Sequence, residues 1–241
     1  MSLIFGVKYN IAKIISLFAP AVPGRRILMF HSIGKFDNYS VDINVLSSVM
    51  HKLTKLNIKI VPLEQLPSSP LNSLSITFDD GYADNFLLGL PIFQKLNTPF
   101  TVFVTSDLVK NNIDNYLTRT QLKELSNSSL CSIGSHASSH TPLASLSKET
   151  ALKELIESKT FLENIIEKTV NTISYPHGLT SNEVIESTKE AGYTLACSSK
   201  WGNNKKINPY MLKRNPIFSL DNECHIVQKV VGKWDWMEKH S

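Results

Sequence analysis

The chain reads as an α/β domain whose parallel strands close, or nearly close, into a barrel with helices outside. Strand-like and helix-like segments alternate through residues 25–241 with short connections, which implies parallel pairing. No internal repeat, low-complexity tract or linker divides that stretch, so one domain is expected over 25–241. The residues best suited to chemistry stand just after the apolar runs, and parallel barrels build their sites at the carboxyl ends of strands.

Each element has its own signal. Ile4, Val7, Ile11, Ile14, Ile15 and Phe18 fall at helical spacing, so residues 1–24 are read as an amphipathic N-terminal helix. That helix either packs on the domain or rests on the inner face of a membrane through residues 3–18, a contact to which Lys8 and Lys13 would contribute. Lys8, Asn10 and Lys13 interrupt the apolar run, which is too broken for a secretory signal or a bilayer span. Ile27 to Phe30 is a strand ending in His31. Val45, Leu46, Val49, Leu53 and Leu56 form a helical stripe, and Ile58 to Val61 is a strand stopped by Pro62.

Leu74, Ile76 and Phe78 alternate with Ser75, Thr77 and Asp79, the period of a strand, and Gly81 breaks it. Phe86, Leu90, Phe93 and Leu96 place a helix next. Phe100 to Thr105 and Leu130 to Ser135 read as strands, separated by a short helix that a Thr118/Gln121 capping box opens. Residues 148–168 carry the longest helical pattern. Ile173 to Tyr175 is a brief strand, Thr180 with Glu183 a second capping box, Leu195 to Ser198 another strand, and Val227, Val230 and Val231 a last helix.

With 42% apolar and 19% charged residues over 241 positions, a substantial core is expected and pervasive disorder is not. The net charge of +4 is spread without any block of like charge, which argues against a nucleic-acid partner. Cys131, Cys197 and Cys224 fit neither a disulfide framework nor a zinc knuckle and are read as free, buried thiols. This leans towards a cytoplasmic protein, or one peripheral on the inner membrane face, with secretion as the alternative.

Two motifs carry chemistry. Thr77-Phe78-Asp79-Asp80-Gly81 places adjacent carboxylates at a strand end where a turn glycine can bring both to one site, although Asp-Gly is also common turn punctuation. His136-Ala137-Ser138-Ser139-His140 spaces two imidazoles four apart directly after a strand and can aim both at one ion. Two histidines plus a carboxylate make a three-ligand face with positions left open, as a catalytic metal site requires.

Together with the turn Tyr175-Pro176-His177-Gly178, these motifs stand in the order that resembles the polysaccharide deacetylase family, the NodB-homology group. A looser likeness runs from Leu28-Met29-Phe30-His31-Ser32-Ile33 to Leu212-Lys213-Arg214. The resemblance implies a distorted (β/α) barrel, a divalent metal ion with zinc the first expectation, and hydrolysis of the acetamido group of N-acetylated sugars. It assigns Asp80, His136 and His140 as metal ligands and Asp79 as general base. It also implies a backbone N–H of the Pro176-His177-Gly178 turn as oxyanion donor, with Tyr175, Pro176 and His177 at the substrate.

Two departures set further expectations. Ser174 stands where the family's base-orienting arginine is common, and Arg214 stands where its acid histidine is common. Arg214 is therefore expected to orient Asp79. His31 is expected to be the general acid, since Phe30-His31 resembles an aromatic-His pattern that replaces the last motif in rearranged family members. Trp201 follows a strand and is expected as a groove wall at the substrate, whereas Trp234 and Trp236 are read as packing residues. His51, His225 and His240 are read as peripheral. The expected partner is an N-acetylated carbohydrate. Two other readings are open: an amidohydrolase of the same scaffold acting on a small non-sugar amide, and a catalytically eroded glycan-binding protein.

Overall fold

The structure is a computed structural model that describes residues 3–34, 38–56 and 58–240, with side chains described from Gly6 to Lys239. Seven strands line up side by side: β1 (Arg26–Phe30), β3 (Ser73–Phe78), β4 (Phe100–Val104), β5 (Cys131–Ser135), β6 (Thr172–Ser174), β7 (Leu195–Cys197) and β8 (Asn215–Pro216), in the order β7-β6-β5-β4-β3-β1-β8. The short β2 (Lys59–Ile60) pairs with the start of β3, below the stretch of β3 that pairs with β4. All of these pairings are parallel.

One stretch of chain joins the two edges of this curled sheet. Residues 209–217 hydrogen-bond first along β7, where Leu212 N–H donates to the Ala196 carbonyl and Ser198 N–H to the Leu212 carbonyl, both at 2.9 Å. They then cross to β1, where Ile217 N–H donates to the Met29 carbonyl at 2.9 Å. The curled parallel sheet with outer helices is the fold class that the alternation implies.

All six residues of β3 are buried, on both sides of its alternation. Leu74, Ile76 and Phe78 face the main core with Leu28, Phe30, Phe100, Val102 and Val104. Ser75 and Thr77 are covered as well, and their hydroxyls donate to the carbonyls of Val61 and Leu28, both at 2.9 Å. Ile27, Phe103, Leu195, Cys197 and Leu212 form a second, smaller core.

The helices follow their signals closely. α2 (Ile43–Leu53) begins at Asp42, whose carboxylate accepts from the N–H groups of Asn44 and Val45. A π-turn over Asn85–Gly89 leads into α3 (Leu90–Lys95). α4 (Ser106–Lys110) has no counterpart in the sequence reading, and α5 (Arg119–Asn127) carries the expected Thr118/Gln121 capping box. α6 (Lys148–Ile166) is the longest helix. α7 (Asn182–Glu190) is capped by Ser181, one residue beyond the expected Thr180, and α8 (Glu223–Val230) by Asn222.

The N-terminal helix α1 (Leu3–Phe18) packs on the domain through the face opposite its apolar stripe. Val7, Ile11, Ile14, Ile15 and Phe18 are exposed, and Tyr9, Ala12 and Ser16 are buried; the side chain of Ile4 lies outside the described residues. A buried polar cluster explains this orientation. The Lys229 ammonium, fully buried, donates to the Asp221 carboxylate at 2.6 Å, to the Tyr9 hydroxyl at 2.7 Å and to the Pro216 carbonyl at 2.6 Å. The Tyr9 hydroxyl donates in turn to Asp221 at 2.7 Å. The rings of Tyr9, Trp201, Phe218 and Trp234 surround the ammonium at 5.0–5.4 Å. Trp234 is fully buried and Trp236 donates its indole N–H to Ser16 Oγ at 3.1 Å, so both tryptophans pack.

Cys131 and Cys197 are free and buried, whereas Cys224 is free and exposed, which corrects the expectation of three buried thiols. His51 is exposed and His225 half-buried, and the side chain of His240 lies outside the described residues.

Burial pulls the Lys229 ammonium pKa down, and Asp221 offsets only part of that. Removing the carboxylate therefore leaves a buried charge without its counter-ion. Asp221→Ala should lower stability by about 3–5 kcal/mol in denaturant titration, and adding Lys229→Met to it should recover part of the loss. An Asp221→Ala protein as stable as the parent would contradict this account of α1 docking.

Candidate active site

The site is assembled where β1, β3, β5 and β6 end. After β3 the chain turns at Asp80 (φ 72°) and Gly81 (φ 80°), both left-handed. A β-carbon on Gly81 would lie 3.2–3.3 Å from Val104, so the turn is closed on both conformational and spatial grounds. Asp80, a non-glycine in that region, carries backbone strain of the kind that functional turns tolerate.

The loop after β5 is shaped by its serines. Ser135 Oγ accepts from the Ala137 N–H at 3.1 Å, and the Glu154 carboxylate on α6 accepts from the N–H groups of Ser138 and Ser139 at 3.1 and 2.9 Å. Ala137 (φ 59°) and His140 (φ 63°) take left-handed conformations. The result folds the loop back so that both imidazoles meet Asp80: His136 Nε2 lies 3.3 Å and His140 Nε2 3.2 Å from Asp80 Oδ1.

The chemistry of this triad fits a cation. His136 Nδ1 lies 2.7 Å from the Ser174 carbonyl, which can only accept, so Nδ1 carries the hydrogen and Nε2 of the neutral ring presents a lone pair. Among the described residues no hydrogen-bond donor satisfies the buried Asp80 Oδ1. One oxygen and two nitrogens, all within 4.8 Å of one another, thus turn lone pairs on one point. Burial alone would lower the His136 pKa, but Asp79 and Asp80 raise it. Burial alone would also raise the Asp80 carboxyl, yet its two histidines hold it far below the usual carboxylate range.

Asp79 sits apart from this point, 4.0 Å from His136 Nε2, in the grip of Arg214. The guanidinium forks onto the carboxylate, Nη1 to Oδ1 and Nη2 to Oδ2 both at 2.7 Å, and donates to Ser174 Oγ at 2.8 Å. Ser174 Oγ donates to Asp79 Oδ2 at 3.0 Å. Burial would push this carboxyl up, but Arg214, with His136, holds it below the usual range, so Asp79 is ionised at neutral pH. Nε of Arg214 donates to the Ser198 carbonyl at 2.9 Å, fixing the fork to the end of β7. Ser174 and Arg214 thus both face Asp79.

These groups open into a cavity of about 410 Å3 lined also by His31, Tyr39, Tyr175, His177, Trp201 and Phe218. The His31 ring stands 5.0 Å from the Tyr39 ring, and its Nδ1 is buried without a partner among the described residues. Asn85 donates to the His31 carbonyl at 2.9 Å, and Ser32 donates to Asp84 at 2.7 Å, which anchors the loop after β1. Burial lowers the His31 pKa below the ordinary 6.5, against the pull of Asp79 and Asp80.

In the turn after β6, Pro176 is buried and His177 (φ 57°) exposes its ring against that of His140, 4.6 Å away. Gly178 admits no side chain, since a β-carbon would fall 1.8 Å from Ser199 Oγ. The Gly178 N–H donates to the Tyr175 carbonyl and the Leu179 N–H to that of Pro176. Among the described residues this leaves His177 as the turn's N–H facing no chain carbonyl. Tyr175 is fully buried and its hydroxyl donates to the Tyr210 carbonyl at 3.1 Å, so it borders the cavity without presenting that hydroxyl. Trp201 stacks on Trp234 at 5.8 Å and gives one side to the cavity. Tyr39 and Phe218 belong to the cavity wall but lie outside any motif, and nothing in the sequence marks them.

Comparison with known proteins gives the chain its relatives. A family model described as polysaccharide deacetylase matches residues 68–196, a stretch that contains both motifs and the Tyr175 turn and leaves out His31, Trp201 and Arg214. Bacillus subtilis YxkH, a protein assigned to the polysaccharide deacetylases, is 30% identical over 127 residues, 53% of this chain and 44% of that protein. A poly-β-1,6-N-acetyl-D-glucosamine N-deacetylase of Staphylococcus aureus N315 is 26% identical over 183 residues, 69% of this chain and 63% of that one. The chain thus spans about half to two thirds of the length of these relatives. Among solved structures, the Streptococcus pyogenes deacetylase PplD in complex with acetate superposes with a TM-score of 0.78 at 21% identity, over 88% of this chain and 99% of that one. IcaB from Ammonifex degensii does so with 0.79 at 17% identity, over 88% and 98%. Those likenesses establish the shared fold, and the family match over more than half of the chain establishes its kinship: the chain belongs to the polysaccharide deacetylase family.

Proposed function

We propose that this chain hydrolyses the acetamido group of N-acetylhexosamine units, in a polysaccharide or a lipid-linked glycan precursor, releasing acetate and leaving a free amine. The observation that carries the reading is the pairing of two differently treated carboxylates. Asp80 shares a point with two imidazole lone pairs, while Asp79 is held ionised and apart from that point by Arg214. The Staphylococcus aureus relative, whose name specifies a β-1,6-linked N-acetylglucosamine polymer, supports this class of substrate. A cavity of about 410 Å3 suits a single sugar unit.

Asp80, His136 and His140 would hold a divalent ion, zinc being the best match to a set of two nitrogens and one carboxylate. Bound there, such an ion supplies Lewis acidity that makes an amide carbonyl more electrophilic and water more acidic. Asp79, unprotonated because of Arg214, takes the proton of the water that attacks the acetamido carbon. The His177 N–H donates to the oxygen that becomes negative in the tetrahedral intermediate. His31 gives a proton to the departing amine. Trp201 and the Tyr175-Pro176 backbone shape the wall against which the sugar rests. The free thiols at Cys131, Cys197 and Cys224 support a reducing setting, the cytoplasm or the inner membrane face.

Base and ligand should fail differently. In protein purified with zinc, Asp79→Asn should keep its metal and lose acetate release from N-acetylglucosamine oligosaccharides by about 10² or more, whereas Asp80→Asn should lose the metal itself. Equal metal loss in the two variants, or no acetate release by the parent from any N-acetylated sugar, would overturn the assignment.

His31 acts in its charged form, and burial keeps its pKa below 6.5. Charge is lost as pH rises through that value, so kcat should decline on the basic limb at a pH below that of free imidazole. His31→Ala should retain zinc and the folded state, lose most turnover and abolish that limb. Near-parental turnover in the variant would remove His31 from the mechanism.

A further inference from the structure

We infer that α1 is an interfacial helix that lays its outer, apolar face into the surface of an anionic lipid bilayer. At about 100° per residue, Ile14, Val7, Phe18, Ile11 and Ile15 share one arc of the helix, with Leu17 at its border, and all six are exposed, Phe18 at 85%. The opposite arc, Tyr9, Ala12 and Ser16, is the one buried against the domain. The helix is therefore anchored by its narrow polar side and turns its broad aliphatic side to the outside.

The charges on this helix are of one sign. The helix contains no acidic residue, and Lys8 and Lys13 stand at the two borders of the apolar arc. Lys13 Nζ donates to the Leu220 carbonyl at 2.6 Å and Lys233 Nζ to the Leu17 carbonyl at 3.0 Å, which adds a third ammonium at the helix end. Carboxylates close by are engaged: Asp221 with Lys229 and Asp235 with Arg26. An aliphatic face bordered by ammonium groups matches acyl chains beneath anionic headgroups.

A second copy of the chain fits less well. Sixteen residues make a rod about 24 Å long and about 10 Å wide, so two such faces would bury roughly 500 Å2, short of the about 1,000 Å2 expected of a stable interface. No helix among the described residues is long and apolar enough to cross a membrane, so the contact is one of lying on the surface. The docking lies close to the cavity: Phe218 meets the Tyr9 ring at 5.0 Å and also lines the cavity, so one aromatic side chain stands between the inner face of α1 and the cavity. Such a helix would hold the cavity near lipid-linked glycans, a consequence that rests on the deacetylase reading, whereas the lipid contact itself does not.

Cosedimentation of the full chain with vesicles tests it, using phosphatidylcholine mixed with phosphatidylglycerol and phosphatidylcholine alone. The parent should bind the mixed vesicles, less at high salt, and Ile11→Glu with Ile14→Glu should weaken binding about tenfold or more. Lys8→Glu should weaken it on the mixed vesicles and leave binding to phosphatidylcholine alone unchanged. Unaltered thermal melting and acetate release by the double variant would show that its fold and cavity are intact. Absence of vesicle binding by the parent overturns the inference, as does undiminished binding by the double variant. So does a parent that sediments as a dimer, is split by these substitutions and ignores vesicles.

Discussion

The site depends on the fork between Arg214 and Asp79. These residues lie 135 positions apart, and their contact at 2.7 Å exists only because the stretch after β7 crosses to β1 and joins the edges of the sheet. Barrel closure and charge state are thereby one event. Without the crossing, a fully buried carboxylate would be driven towards its neutral form; with it, Asp79 is ionised while shielded from water. The adjacent Asp80 experiences a different environment one residue further along the backbone, because the left-handed turn at Asp80 and Gly81 directs it to the imidazoles and away from the guanidinium. Two neighbouring carboxylates thus receive separate tasks from backbone geometry.

What could be read from the sequence was what is local in it. Strands, helices and the Thr118/Gln121 cap follow from spacing within a few residues, and the two histidine positions and the Asp79-Asp80 pair sit in contiguous motifs. Arg214 was within reach only as a charge missing from Ser174 and present elsewhere; its fork is a tertiary fact. Tyr39 and Phe218 gave no signal, because a cavity wall needs only apolar bulk at the right place. The Asn85 and Asp84 contacts behind His31 were invisible for the same reason, being made between a strand end and a π-turn.

The orientation of α1 has a different cause. Apolar periodicity identifies the helix correctly but says nothing of which face is bound, since it assumes that the apolar side is the buried one. Here small Ala12 and Ser16 allow close approach, and Tyr9 enters a cluster whose Lys229 ammonium is fully buried. Satisfying that charge requires Asp221, Tyr9 and the Pro216 carbonyl together, and a buried ammonium without partners costs more than an exposed aliphatic side chain. The polar demand of the core sets the helix orientation, and the apolar stripe is left outside.

The most direct measurement of the central claim is kinetic and metal analysis of Arg214 variants, made with an N-acetylated oligosaccharide that the parent deacetylates. If Arg214 serves to keep Asp79 ionised and aligned, Arg214→Met should retain zinc at the parental level and lose acetate release by about 10² or more, and Arg214→Lys, which keeps the charge but not the fork, should restore only part of it. Turnover close to parental in a folded, zinc-loaded Arg214→Met protein would contradict the account.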